Sequence, residues 1–205
     1  GTYTNTRKLK PLHRGKLGEL VVSGPGTTRK YFTRIDANRL AKIPDADRLW
    51  HRMGDVGYLD AQGRFWMCGR LVHRVLAGNG PMFSTPVEEV FNQHPAVRRS
   101  ALVGVGPPGR QRPVVIIEPS PGCWPRTNKQ REALIGQLRQ LAASKTSTAA
   151  VEEFLFHPSL PVDVRHNVKI DREKLARWAA GKLRRQQRSR PAAVGLPAQK
   201  TGGMP

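Results

Sequence analysis

Three short clusters in this 205-residue chain combine residue types that handle phosphate and ribose oxygens. The first is Arg52-Met53-Gly54-Asp55, just before Gly57-Tyr58-Leu59-Asp60. A carboxylate on a glycine-containing turn accepts two hydrogen bonds from a vicinal diol, such as the hydroxyls of a ribose. The same residue in isolation also serves as an ordinary turn-stabilising aspartate. The second cluster is Gly69-Arg70, with the arginine fifteen residues after Asp55. Its guanidinium is planar and always charged, which suits phosphate or ribose oxygens and equally a surface ion pair. The third is Asn167-Val168-Lys169-Ile170-Asp171-Arg172, which follows Leu160-Pro161. A lysine between a loop and a helix brings a mobile positive point charge to a cleft, or simply solvates a helix start.

These clusters need elements to hold them. Residues 18–24 read as a short strand closed by glycine. Residues 50–60 lead into Ala61-Gln62-Gly63-Arg64, a hairpin turn, and 65–68 form the returning strand, ended by Gly69-Arg70. Residues 71–76 suggest another strand, and 77–81 a turn. Ser84 or Thr85 is expected to cap a helix with Pro86 at its first position. Glu88 and Glu89 favour that helix's positive end, and Val87, Val90 and Phe91 form its apolar face. Pro95 stops it. Continuous apolar runs at 101–105 and 114–117 read as buried strands. Asn128 is expected to cap a helix in which Leu134, Leu138 and Leu141 recur on one side. Residues 151–156 form a strand, 160–167 a polar loop, and 170–180 a last amphipathic helix with Leu175 and Trp178. The first 70 residues therefore look like β structure belonging to something larger. Residues 73–180 look like an α+β unit in the order ββαββαβα.

Composition narrows the classes. No apolar run reaches the ~18 residues of a spanning helix, and the basic start has no apolar segment after it, so it is not a signal peptide. The chain opens on Gly1 rather than methionine, which suggests a fragment. Two cysteines, Cys68 and Cys123, are too few for a disulfide scaffold and fit a reducing cytoplasm. The net charge is +20, and eleven of the 35 basic residues lie in residues 1–18 and 181–205, which contain no acid. The tail from residue 181 is expected to be a basic disordered segment, a solvated extension or a tether to anions. Aromatic residues do not interleave with these basic ends, so no nucleic-acid stacking platform is visible and no specific nucleic-acid partner is expected.

Taken together and in order, the clusters resemble the adenylate-forming superfamily of acyl-CoA synthetases, luciferases and nonribosomal adenylation domains. Gly18-Glu19-Leu20 with Gly24 and Tyr31 is similar to the family's GEL…G…GY stretch, and Met53-Gly54-Asp55 to its TGD motif. Gly69-Arg70 resembles the GR before the interdomain hinge. Pro86-Val87-Glu88 with His94-Pro95-Ala96-Val97 is similar to EIE…HPAV, and Leu160-Pro161 through Lys169 and Arg172 to LPxxxxGKIxR. The resemblance covers residues 18–180. WHRMGDVGYLD, the HRV after the GR motif, and FHPSLPVDVRHNVKIDREKLARWA further resemble the β-lactone synthetases of bacterial olefin biosynthesis.

The resemblance implies an α+β chain. Residues 1–70 would be the β-rich end of a large N-terminal adenylating domain, 71–180 a small α+β C-terminal lid domain, and 181–205 the tail. It implies that Asp55 binds the ribose hydroxyls of ATP, that Arg70 contacts the nucleotide, and that Lys169 is the adenylation lysine. ATP and Mg²⁺ are the implied cofactors. A long-chain β-hydroxy acid, or alternatively a fatty acid joined to CoA, is the implied substrate, with other enzymes of a hydrocarbon pathway as possible assembly partners. The phosphate loop, acyl pocket and Mg²⁺ glutamate of the family have no counterpart here, so the chain alone is expected to be inactive or nearly so. Four positions depart from the family pattern. Met53 replaces a threonine, Val72 stands where the hinge has Asp or Lys, Asn167-Val168-Lys169 lacks the glycine of GKI, and Gly78-Asn79-Gly80-Pro81 replaces KxxG. The hinge departures weaken a thioester-forming reading. A non-enzymatic basic binding module is the remaining alternative.

Overall fold

The computed structural model describes residues 10–45, 47–163 and 169–188. The N-terminal charges Arg7 and Lys8, the dipeptide Asn167-Val168, and the tail from residue 189 onward lie outside the described residues.

The first part is organised around one long strand. β1 (Gly18–Val22) is followed by helix α1 (Ile35–Ala41), β2 (Lys42–Asp45), β3 (Arg48–Leu59) and β4 (Phe65–Arg70). β3 pairs antiparallel with all three other strands. β1 lies along one edge of it; β2 and β4 share the other, β2 against its first half and β4 against its second. The β3–β4 connection is the expected hairpin. Asp60 Oδ1 accepts from the Gln62 and Arg64 amides, while its Oδ2 accepts from Arg64 Nε and Trp66 Nε1. Gly63 takes a φ of 81° in this turn, a conformation that glycine adopts without steric cost. The sequence pattern did not signal α1 and β2, whose polar and apolar residues are mixed without a clear period.

A 3₁₀ turn (Leu71–His73) then leads to a second unit. Its elements are β5 (Val75–Ala77), β6 (Gly80–Met82), α2 (Ser84–Asn92), β7 (Val97–Val105), β8 (Arg112–Pro119), α3 (Asn128–Ala143), β9 (Glu153–Phe156) and α4 (Arg172–Arg188). The order is the ββαββαβα read from the sequence. β5 and β6 form a small hairpin, β7 and β8 pair antiparallel, and β8 and β9 pair parallel through the α3 crossover.

The uninterrupted apolar runs in β7 and β8 have a physical cause: both faces of this sheet are covered. Leu102, Val115, Ile117, Phe154 and Phe156 pack with Val87 and Phe91 of α2 and Leu134 and Leu138 of α3. On the opposite face Ala101, Val103, Val114, Ile116 and Leu155 pack with Leu175, Ala179 and Leu183 of α4. The result is three layers, helix–sheet–helix.

Three local readings are corrected. α2 is preceded by Phe83 and has no side-chain cap; Ser84 is its first helical residue and is buried against Gly69 rather than capping. α3 is capped by Thr127, whose hydroxyl accepts from the Gln130 amide while Gln130 reaches back to the Thr127 amide. α4 runs to Arg188 instead of ending at 180, because Leu183 extends the buried stripe of Leu175 and Ala179 by one more turn. The first eight residues of the stretch expected to be a disordered tail are thus helical. No helix among the described residues is long and apolar enough to cross a membrane.

Phe91 is fully buried and meets Phe154 edge to face with ring centroids 5.3 Å apart. Phe91→Ala is expected to cost about 3–5 kcal/mol of unfolding free energy, measured by urea denaturation.

Candidate functional site

Asp55 and Arg70 are direct partners in the β3–β4 ladder. Their side chains meet: Arg70 Nη1 donates to Asp55 Oδ1 at 2.8 Å. The carboxylate is largely covered, at 16% exposure, whereas the guanidinium is half exposed. The local backbone bends here. Gly54 has a φ of 70°, and the pairing registers on both sides of β3 slip around residues 53–57. The bend sets an acceptor and a fork of donors side by side at the last residue of β4. That combination can grip a diol and an adjacent phosphate together.

The chain crosses to the second unit immediately after Arg70. Gly69 has a φ of 136°, and a Cβ built there would stand 2.6 Å from Ser84 Oγ, so this close approach of β4 to α2 requires glycine. Val72, where the hinge position falls, is 79% exposed. His73 follows. Desolvation pushes its pKa down, and the positive charges of Arg172 and Arg70 push it further, against a smaller opposing pull from Glu173. One imidazole therefore senses both Arg70 and the start of α4.

Lys169 is exposed, three residues before Arg172. The backbone on either side of it is drawn together: Val162 bridges Ile170, the Asp163 amide donates to the Lys169 carbonyl, and the Asp171 amide donates to the Pro161 carbonyl. Asp171 then accepts from the Lys174 amide and so starts α4. Two glutamates hold the flanks, Glu118 fully buried and Glu88 largely covered. Glu88 on α2 accepts a forked pair of bonds from Arg172 Nη1 and Nη2, and one from the Leu102 amide. Burial pushes the Glu88 pKa up, and Arg172 offsets only part of that. Glu118 on β8, 1% exposed, accepts from the Leu160 amide and from Arg99 Nη2, both at 2.7 Å. Arg98 Nη1 lies 3.0 Å from its other oxygen. Burial alone would raise the Glu118 pKa, but the Leu160 bond and the two arginines outweigh it, and the net shift is downward.

The structure thus joins Asp55 to Arg70 directly and sets Lys169 on the other unit, beside the helix start that shares His73 with Arg70. Sequence reasoning gave Glu88 only a helix-end role and passed over Glu118. A charged residue closing an otherwise apolar run, Val114 to Pro119, was the available signal. A groove of about 680 Å³, lined in part by Gly24, Arg29, Arg48 and Trp50, contains none of the three predicted residues; nor does one of about 390 Å³ between Trp124, Arg131, His157 and Trp178. Among the described residues, no group of three His, Cys, Asp or Glu side chains comes together to hold a metal. They do not by themselves fit a Mg²⁺ site.

No family model matches the chain. It is 49% identical over 177 residues to an olefin beta-lactone synthetase of Xanthomonas campestris and 47% identical to one of Stenotrophomonas maltophilia. Each match covers 84% of this chain and 31% of the relative, so the chain spans about a third of the length of these curated relatives. A sulfoacetate–CoA ligase of Cupriavidus necator is 33% identical over 53% of the chain and 21% of the ligase. Among solved structures, the amide bond synthetase McbA of Marinactinospora thermotolerans superposes with a TM-score of 0.68 at 26% identity, covering 82% of this chain and 32% of that one. The o-succinylbenzoate CoA synthetase of Bacillus subtilis in complex with AMP gives 0.65 at 24%, covering 80% and 31%, and shows the same fold.

His73 is expected to titrate below the ordinary histidine value of about 6.5. Because the unfolded chain takes up this proton more readily, stability from the neutral imidazole is present above that value and falls as pH drops through it. In Arg70→Ala the midpoint, followed by the imidazole proton resonances, is expected to move up toward the ordinary value.

Proposed function

This chain belongs to the adenylate-forming superfamily, and from that premise we propose that it serves an ATP-dependent, AMP-forming ligase that activates a long-chain β-hydroxy acid and closes it to a β-lactone. The observation that carries the reading is the Asp55–Arg70 pair at the end of β4, set directly before an exposed turn that leads to the unit bearing Lys169. In this reading Asp55 accepts hydrogen bonds from the ribose hydroxyls and Arg70 donates to nucleotide oxygens. Lys169 comes to the nucleotide when the second unit turns about residues 70–73.

The substrate carboxylate attacks the α-phosphorus. A new P–O bond forms to the acid, and the bond to pyrophosphate breaks with its electron pair. Negative charge builds on the phosphoryl oxygens, and the Lys169 ammonium, donating without reorganisation, stabilises it. In the second step the β-hydroxyl oxygen attacks the activated carbonyl, loses its proton, and expels AMP. Both groups lie on one molecule, so proximity supplies the rate advantage and no thiol is needed. Mg²⁺ would accompany ATP through groups other than the described residues, and no step here is assigned to it. A cytoplasmic location and assembly with further hydrocarbon-forming enzymes fit the same reading.

A thioester-forming reading has one observation in its favour, the match of about half the chain to CoA ligases. Val72 at the hinge and Gly78-Asn79-Gly80-Pro81 after it weigh against that reading.

With the full-length enzyme, ATP and a β-hydroxy acid, lactone and AMP are expected without CoA. A product formed only with CoA, as a thioester, overturns lactone formation. Lys169→Ala is expected to lower ATP–pyrophosphate exchange on the order of 10²–10³-fold. Asp55→Ala is expected to raise the KM for ATP.

A further inference from the structure

We infer that Glu88 and Glu118 are positioning residues that aim Lys169 by clamping the two flanks of its segment to the sheet. The inference rests on the adenylation role proposed for Lys169. It concerns how the fold delivers that charge.

Lys169 lies where main-chain bonds tie residues 161–163 to 169–171. That tie alone does not fasten residues 161–163 and 169–171 to the sheet. Two carboxylates do so, one on each flank. On the upstream side, the Leu160 amide is buried and donates to Glu118. Glu118 is itself fixed on β8 between Arg98 and Arg99. On the downstream side, Arg172 forks onto Glu88, whose Oε1 also takes the Leu102 amide of β7. Each carboxylate therefore joins a different strand of one sheet to one end of the lysine's segment. A sheet buried on both faces is the most rigid body available in this unit.

The chemistry of the two anchors fits holding rather than reacting. Glu118 is buried, Glu88 is largely covered, and both are engaged by several donors. A forked arginine–carboxylate pair fixes orientation as well as distance. An error near 1 Å in a charge that must meet a phosphoryl oxygen can cost about 10²-fold in rate. Aiming is therefore worth two acids.

The test separates positioning from mere stability by using the two half-reactions. Glu118→Met removes the acceptor for Leu160, and Glu118→Gln keeps one. The double variant Glu88→Gln/Arg172→Met removes the downstream pair without leaving a lone buried charge. In the full-length enzyme, Glu118→Met and the double variant are expected to lower kcat for ATP–pyrophosphate exchange by about 10–10²-fold. The KM for ATP should change little, because Asp55 and Arg70 are untouched. Lactone closure from synthetic acyl-adenylate should proceed at the parental rate. Glu118→Gln should recover most of the exchange rate. Hydrogen exchange at the Leu160 amide should be fast in Glu118→Met and slow in the parent, with the thermal transition still cooperative. Loss of both half-reactions in parallel, or normal exchange kinetics in Glu118→Met alongside a crippled Lys169→Ala, overturns the clamp. If Lys169→Ala itself exchanges pyrophosphate normally, the adenylation reading fails first and the clamp falls with it.

Discussion

The register of the β3–β4 hairpin is the constraint on which the site depends. Asp55 and Arg70 are far apart in sequence and meet only because Leu59 pairs with Phe65 at one end of the ladder and Asp55 with Arg70 at the other. A slip of one residue would send one of the two side chains to the opposite face. The turn carries the specification. The Asp60 carboxylate takes the Trp66 indole, the Arg64 guanidinium and two turn amides, and those donors, Trp66 foremost, hold its pKa below the usual range against an opposing desolvation cost. Gly63 supplies the left-handed conformation. One short turn thereby sets the geometry of a pair four to five residues further along the ladder, and the last residue of that ladder is also the last before the 3₁₀ turn into the second unit.

The second unit solves a different electrostatic problem. It carries an exposed lysine, Lys169, on a chain that is already strongly basic. Its answer is to spend acids inside. Glu118 is buried and Glu88 largely covered, and each faces arginine. Removing one partner of such a pair is far more harmful than never having had it, since the remaining charge stays buried. The pairs therefore add less to net stability than to a defined arrangement of β7, β8 and α4. That arrangement matters most at the one place where the sheet's order has to reach an exposed lysine.

Much of this was legible in the sequence because the informative signals are local. Apolar runs too continuous for a one-sided sheet, a turn rich in Asp and Gly, and leucines at helical spacing gave the order of the second unit correctly. α1 and β2 were not legible. Arg39, Lys42, Pro44 and Asp45 carry no periodic face, and only pairing with β3 makes 42–45 a strand. The caps of α2 and α3 were misplaced by a residue or so for the same reason: Ser84 and Thr127 are equally good caps on paper, and burial of Ser84 against Gly69 decides between capping and packing. At the site, residue types and order exposed Asp55, Arg70 and Lys169. Their support was hidden, because Glu88–Arg172 spans 84 residues and Glu118–Leu160 spans 42, and no local pattern records such pairings.

The Asp55–Arg70 bond also bears on how a nucleotide would be taken up. The two groups satisfy one another through one oxygen and one nitrogen. Oδ2 of the aspartate and the remaining donors of the guanidinium are left for a ligand, and a carboxylate with about four lone-pair sites can keep its arginine while accepting from two hydroxyls. Uptake then needs no broken ion pair, only replacement of water on the open side, where Arg70 is half exposed. The arginine also pre-sets the carboxylate's orientation, so less side-chain entropy is lost when the diol arrives. On the far side of Arg70 the turn and His73 begin, and burial, with Arg172 and Arg70 adding to it, pushes the imidazole's pKa down, which disfavours a third positive charge there. In the proposed reading, Lys169 approaching that edge meets Arg70, while Arg172 travels with the lysine and is paired with Glu88. In that reading, anionic phosphate between Lys169 and Arg70 would convert repulsion into attraction, so charge alone would favour closure with nucleotide bound and opening once it has left.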